Sequence, residues 1–143
     1  MNIKNKMAKF KFLAHTADIK FQAFGKTPEK VFENSALALF NVIYNEKISE
    51  NKKFKISVKG KDLENLMYNF LEEFLVLIDS KNFLPSKITN LKFDQKALKI
   101  KAEVIGDDAE NYNVSEHVKA VTYNEMFIKK IKNNWTSQVV LDI

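Results

Sequence analysis

Apolar residues in this chain recur at two different spacings, and the switches between them set out an order of elements. Phe10 and Phe12, then Ile19, Phe21 and Ala23, fall at every second position, the spacing that puts side chains on one face of a strand. Between them, Ala14-His15-Thr16-Ala17-Asp18 is poor strand sequence and predicts a turn or bulge; Gly25 closes the second strand. Thr27-Pro28 then predicts a helix start, with Thr as N-cap and Pro at the first helical position, where no amide donor is needed. Val31, Phe32, Ser35, Ala36, Leu39, Phe40 and Ile43 follow at helical spacing. Phe54, Ile56 and Val58 alternate with Lys55, Ser57 and Lys59 in a half-buried strand that ends at Gly60. Asp62 caps a second helix whose broad apolar face runs from Leu63 through Leu66, Met67, Phe70, Leu71 and Phe74 to Ile78, with Glu72 and Glu73 on its other side.

The remainder is strand-rich. Residues 79–87, with Pro85, predict a loop, 88–93 a strand and 94–96 a turn. Leu98, Ile100, Ala102 and Val104 alternate with lysines and Glu103 up to Gly106. Further strands are predicted over 118–123, 126–131 and 137–143, with a turn at Asn133-Asn134. Late strands in such number favour antiparallel hairpins over a doubly wound parallel sheet, so the fold class is α+β, with two helices packed on mostly antiparallel sheet portions. Neither an internal repeat nor a boundary breaks the pattern, and residues 1–143 are expected to form a single domain.

Composition narrows the chemistry. There is no cysteine, which excludes disulfides, thiolate metal sites and cysteine nucleophiles. The longest apolar runs span five residues, 36–40 and 74–78, against about 20 for a membrane span. No signal-peptide pattern opens the chain, and a cytoplasmic protein without membrane attachment is expected. All 23 basic residues are lysine, and the net charge is +5. That field attracts phosphate-bearing partners, but the bidentate guanidinium contacts typical of nucleic-acid recognition are missing. Asp107, Asp108 and Glu110, with Glu116 beyond, form an acidic patch whose simplest reading is a polar loop after a strand.

No HExxH, phosphate-binding loop, dinucleotide glycine pattern or serine elbow is present. Two places break their local pattern. His15-Thr16-Ala17-Asp18 is either a turn bonded to its own backbone amides or a means of holding His and Asp at a sheet edge. The end of the sequence, Asp142-Ile143, is either an ordinary last strand or a source of carboxylate oxygens of the sort Mg²⁺ and Ca²⁺ take. Spacing does not say whether Asp18 and Asp142 meet.

Taken together, these blocks resemble the archease family. The resemblance rests on His15-Thr16-Ala17-Asp18-Ile19, on Gly25, Thr27, Phe32 and Ala36, on Leu63 and 66–75, on Lys119-Ala120-Val121-Thr122-Tyr123 and on Asp142-Ile143, in that order along nearly the whole chain. Asn124 departs from it, standing where members often carry histidine. The resemblance implies an archease-like β-α-β sandwich. It implies a non-enzymatic activator of an RtcB-type RNA ligase in tRNA splicing, promoting ligase guanylylation and multiple turnover. Asp18, Asp142 and Ile143 would be the ligands of a divalent metal ion, Ca²⁺ in crystals and Mg²⁺ or Mn²⁺ in function. His15 and Lys119 would stand behind that site or meet the partner. tRNA would be reached through the ligase, and a tRNA methyltransferase is a second partner the family suggests. The alternatives are a metal-dependent phosphoesterase built on Asp18 and Asp142, and a tRNA-binding adaptor or chaperone.

Overall fold

The computed structural model describes residues 8–14, 18–114 and 117–143. The elements among them run β1 (Phe10–Leu13), β2 (Ile19–Gly25), α1 (Pro28–Ile43), β3 (Lys52–Lys59), α2 (Leu63–Lys81), β4 (Phe83–Asp94), β5 (Lys99–Asp108), β6 (Ala120–Ile131) and β7 (Asn134–Asp142). The strands form two antiparallel sheets, ordered β1-β2-β7-β6 and β3-β5-β4. Each sheet has one apolar face, and the helices lie between the two. α1 packs on β1, β2 and β7 of the first sheet and on β4 of the second. α2 packs on β6 of the first sheet and on β3 and β4 of the second. The result is the α+β arrangement expected from the pattern, with a helical layer shared by both sheets.

Both helices start as their sequences predict. The Thr27 side chain accepts from the Lys30 amide at 3.1 Å with Pro28 next to it, and Asp62 accepts from the Asn65 amide at 2.8 Å. These bonds satisfy amides that a helix start leaves without partners. α2 ends on Asn82 at φ 50°, a left-handed position that asparagine tolerates better than most residues. Because each helix has a sheet on two sides, burial extends beyond one stripe. Val31, Phe32, Ala36, Ala38 and Leu39 of α1 and Leu66, Met67, Phe70, Leu71 and Phe74 of α2 are all fully buried. Phe32 meets Phe70 edge-to-face at 5.7 Å, and Phe40 meets Phe74 at 5.0 Å. Even polar residues are drawn in and satisfied: the Ser35 hydroxyl bonds both the Val31 carbonyl, at 2.6 Å, and Ser137 of β7, at 2.7 Å.

Three segments differ from the sequence expectation. Residues 79–87 are not a loop: α2 runs to Lys81 and β4 begins at Phe83, with Pro85 inside the strand. β4 is an edge strand, and its register with β5 shifts just after Pro85, so the missing amide donor is tolerated there. β5 does not stop at Gly106 but continues to Asp108. Gly106 is needed for close approach, since a Cβ there would collide with the Leu84 carbonyl oxygen of β4. Finally, the two strands expected over 118–131 are one, β6, interrupted where its register with β7 breaks between Thr122 and Phe127.

Candidate functional site

The last antiparallel pair between β2 and β7 is Ile19 with Leu141. One residue further along each chain stand Asp18 and Asp142. Alternation puts them on the same face as Lys20 and Val140, the face turned away from the helices. Residues from opposite ends of the sequence are therefore brought to one end of one sheet by register alone. On its other side Asp142 pairs with Ala120 of β6, and its carbonyl accepts from the Lys119 amide at 2.7 Å. β7 is an interior strand, so the backbone at Asp142 is held from both flanks. Asp142 is exposed, while Asp18 and Ile143 are half-buried.

Of the other predicted residues, His15 lies outside the described residues, as do Thr16 and Ala17. Lys119 is brought beside Asp142 by its backbone, and it also lines a cleft on the helix side of the sheet. Among the described residues there is no cluster of three or more His, Asp or Glu side chains able to hold a metal ion. Asp18 and Asp142 each carry a carboxylate at this end of the sheet.

The break in β6 shapes the surroundings. Residues 123–126 leave the ladder, with Glu125 at φ 53°. The Glu125 carboxylate pairs with Lys20 of β2 at 2.8 Å, and its carbonyl accepts from Gln138 of β7 at 2.7 Å. The excursion thus reaches from β6 across β7 to β2, over the outer face next to the two aspartates. It is anchored on the helix side by Tyr123, which stacks on Tyr68 at 4.5 Å and whose hydroxyl accepts from Asn65 of α2 at 2.7 Å. Asn124, the position that departs from the family pattern, is exposed at its tip.

The acidic patch is a structural staple. Asp107 is buried and accepts from the Asp108 amide at 2.9 Å, the Tyr112 hydroxyl at 2.8 Å and Asn111 at 3.3 Å. The Tyr112 hydroxyl, followed by the Asp108 amide, holds the Asp107 carboxyl below its ordinary range. Asp108 pairs with Lys52 at 2.5 Å, and that bond raises the lysine above its usual value. These contacts tie the turn at 109–111 to the end of β5, as a polar loop after a strand should be.

One feature escaped sequence reasoning. A cleft of about 700 Å³ opens between α2, the start of β4 and the segment before β6, with a lining about half apolar and half polar and with Glu72, Asp79, His117 and Lys119 among its polar residues. One carboxylate oxygen of Glu72, Oε2, is buried there without a hydrogen-bond partner. The sequence pattern expects Glu72 on the side of α2 away from its apolar face. The available signal was the run of Leu75, Val76 and Ile78, which extends the apolar surface of α2 around toward Glu72.

Comparison with known proteins bears on the family and the fold. The Archease protein family matches residues 10–143. A protein archease of Methanosarcina barkeri is 42% identical over 139 residues, covering 94% of this chain and 95% of its own length. One of Pyrococcus abyssi is 38% identical over 142 residues, covering 96% of this chain and 100% of its own length. The solution structure of Methanobacterium thermoautotrophicum protein 1598 superposes with a TM-score of 0.82 at 31% identity, covering 96% of this chain and 100% of that one. The crystal structure of an archease from Thermotoga maritima, at 17% identity and a TM-score of 0.62 over 97% of this chain and 99% of that one, shares the fold.

Proposed function

The chain belongs to the archease family, and from that premise we propose that it is a non-catalytic activator of an RtcB-type RNA ligase, promoting guanylylation and multiple turnover. In this reading Asp18, Asp142 and a main-chain oxygen of Ile143 hold a divalent ion, Ca²⁺, Mg²⁺ or Mn²⁺, with water completing its shell. The observation that carries the proposal is the β2–β7 register, which sets Asp18 beside Asp142 on one face. Two carboxylates at one sheet end offer a divalent cation the oxygen donors it takes. The donor chemistry fits a hard, oxygen-preferring ion rather than a soft one. Bound there, such an ion would supply a fixed positive charge at the sheet end.

The chain's own residues supply position. β6 and β2 clamp β7, so Asp142 is presented at a defined place to a partner, and Lys20, tied to Glu125, borders the site. Activation needs little energy: about 1.4 kcal/mol off the limiting barrier is tenfold in rate. The covalent steps of RNA joining stay with the ligase.

The test is multiple-turnover RNA ligation by the cognate ligase, with and without this protein, beside calorimetric metal titration. Wild type should raise turnover after the first ligation event. D18N and D142N should weaken both metal binding and activation while far-UV circular dichroism stays unchanged. Wild-type metal affinity and activation in both variants would remove the site assignment. Hydrolysis of a generic phosphodiester by the protein alone, lost in D18N, would favour the phosphoesterase alternative.

A further inference from the structure

The second sheet has a solvent face with a charge pattern that folding does not explain. The apolar positions of β3 and β5 turn toward the helices, so Lys53, Lys55 and Lys59 of β3 and Lys99 and Lys101 of β5 turn outward. Lys87 and Lys92 of β4 share that face by register, against only Glu103 and Asp94. Lys59 stands directly opposite Lys99, and Lys92 directly opposite Lys101. Like charges in opposed positions across strands destabilise a sheet.

On other surfaces Lys20 pairs with Glu125, Lys30 with Glu33 and Lys52 with Asp108. On this face Lys87 reaches Glu50 at 3.2 Å and Lys53 lies 3.7 Å from Glu103. Glu103 is engaged by Asn90 at 2.8 Å as well. Lys55, Lys59, Lys92, Lys99 and Lys101 make no ion pair among the described residues. Two shallow open grooves, of about 940 and 540 Å³, cross the face and share Lys92 and Lys101, so the positive surface is continuous.

From this pattern we propose that the outer face of the β3-β5-β4 sheet binds the phosphodiester backbone of RNA, without reading its sequence. The chemistry of the face selects this occupant. Protein interfaces are enriched in aromatic residues and arginine and depleted of lysine. The face offers lysine, and Phe54 and Phe93 point inward, Phe93 onto Phe32 at 5.7 Å and Phe54 onto Phe83 at 4.8 Å. With no ring on which to stack a base, binding comes from counterion release at phosphates. This surface lies on the opposite side of the helical layer from Asp18 and Asp142, so it goes beyond ligase activation and is separable from it.

The experiment is fluorescence anisotropy with a short labelled single-stranded RNA and the full chain, titrated from about 50 to about 200 mM salt. Five phosphate contacts predict an affinity loss on the order of 100-fold across that range. K92Q/K99Q/K101Q should bind at least about tenfold more weakly at low salt, with a log–log salt slope shallower by about 2. K129Q/K130Q/K132Q removes the same charge from the β6–β7 end of the other sheet and should retain most of the affinity. D18N should bind RNA as wild type does, whatever its effect on ligation. Wild-type RNA affinity in K92Q/K99Q/K101Q overturns the proposal, as does an equal loss in K129Q/K130Q/K132Q, which would reduce the effect to net charge. Loss of ligase binding in K92Q/K99Q/K101Q with RNA binding unchanged overturns it too, by making the face a protein interface.

Discussion

β7 and β5 occupy equivalent places, each an interior strand between two antiparallel neighbours with the helical layer on one side. Their exposure differs completely. In β7 six consecutive residues, Thr136 to Leu141, are buried. In β5, Ile100, Ala102 and Val104 are buried while Lys101 between them is exposed. The difference comes from the neighbours. β6 sends residues 123–126 over the outer face of β7, where Glu125 takes both Lys20 and Gln138. Nothing among the described strands does this for β5. A strand covered on both faces is held from both sides, which suits the metal site proposed at its end. A strand covered on one face is free to present charge.

That contrast can be broken or sharpened by substitution. The largest effect should come from the layer both sheets share. Phe70→Ala removes a fully buried ring that meets both Phe32 and Phe74, and should cost about 3–5 kcal/mol. Equilibrium urea unfolding measures it, and a loss below about 0.5 kcal/mol would contradict the placement. A smaller effect is expected on the covered outer face of β7. Gln138→Leu strands the Gln22 amide, 2.9 Å away, and the Glu125 carbonyl, and should cost about 1–3 kcal/mol. A neutral outcome would mean that the β6 excursion does not close that face. The smallest effect belongs to the open face of β5. Lys101→Gln removes a charge opposite Lys92 and should change stability by less than about 0.5 kcal/mol, in the favourable direction at low salt. Clear destabilisation there would show that the lysine packs as well as repels.

The same contrast separates what was legible in the chain from what was not. β3 and β5 announce themselves because one face meets apolar neighbours and the other meets water, and a period of two records that directly. α1 and α2 are as plain, down to their caps at Thr27 and Asp62. The first residues of β4 read as a loop because of Pro85, which forbids an interior strand but not an edge with a shifted register. β6 was split in two because its excursion interrupts the alternation, and β7 carries no clean alternation because both faces are buried. The burial of Glu72 is not legible in the helical pattern, because α2 has sheets on two sides and a cleft on a third.

By itself, then, the sequence determined the elements whose side chains sort between one apolar surface and water, the α+β class, the absence of thiol chemistry and the excess of lysine. It also marked His15-Thr16-Ala17-Asp18 and Asp142-Ile143 as places where the local pattern fails. Tertiary structure decided the rest. Only the pairing of Ile19 with Leu141 brings Asp18 beside Asp142, and only the pairing of β3, β5 and β4 gathers scattered lysines on one face. The physical reason is that periodicity records each residue's contact with a single surface. Register instead depends on which distant strand supplies the partner for a backbone hydrogen bond, and every strand offers the same amides and carbonyls.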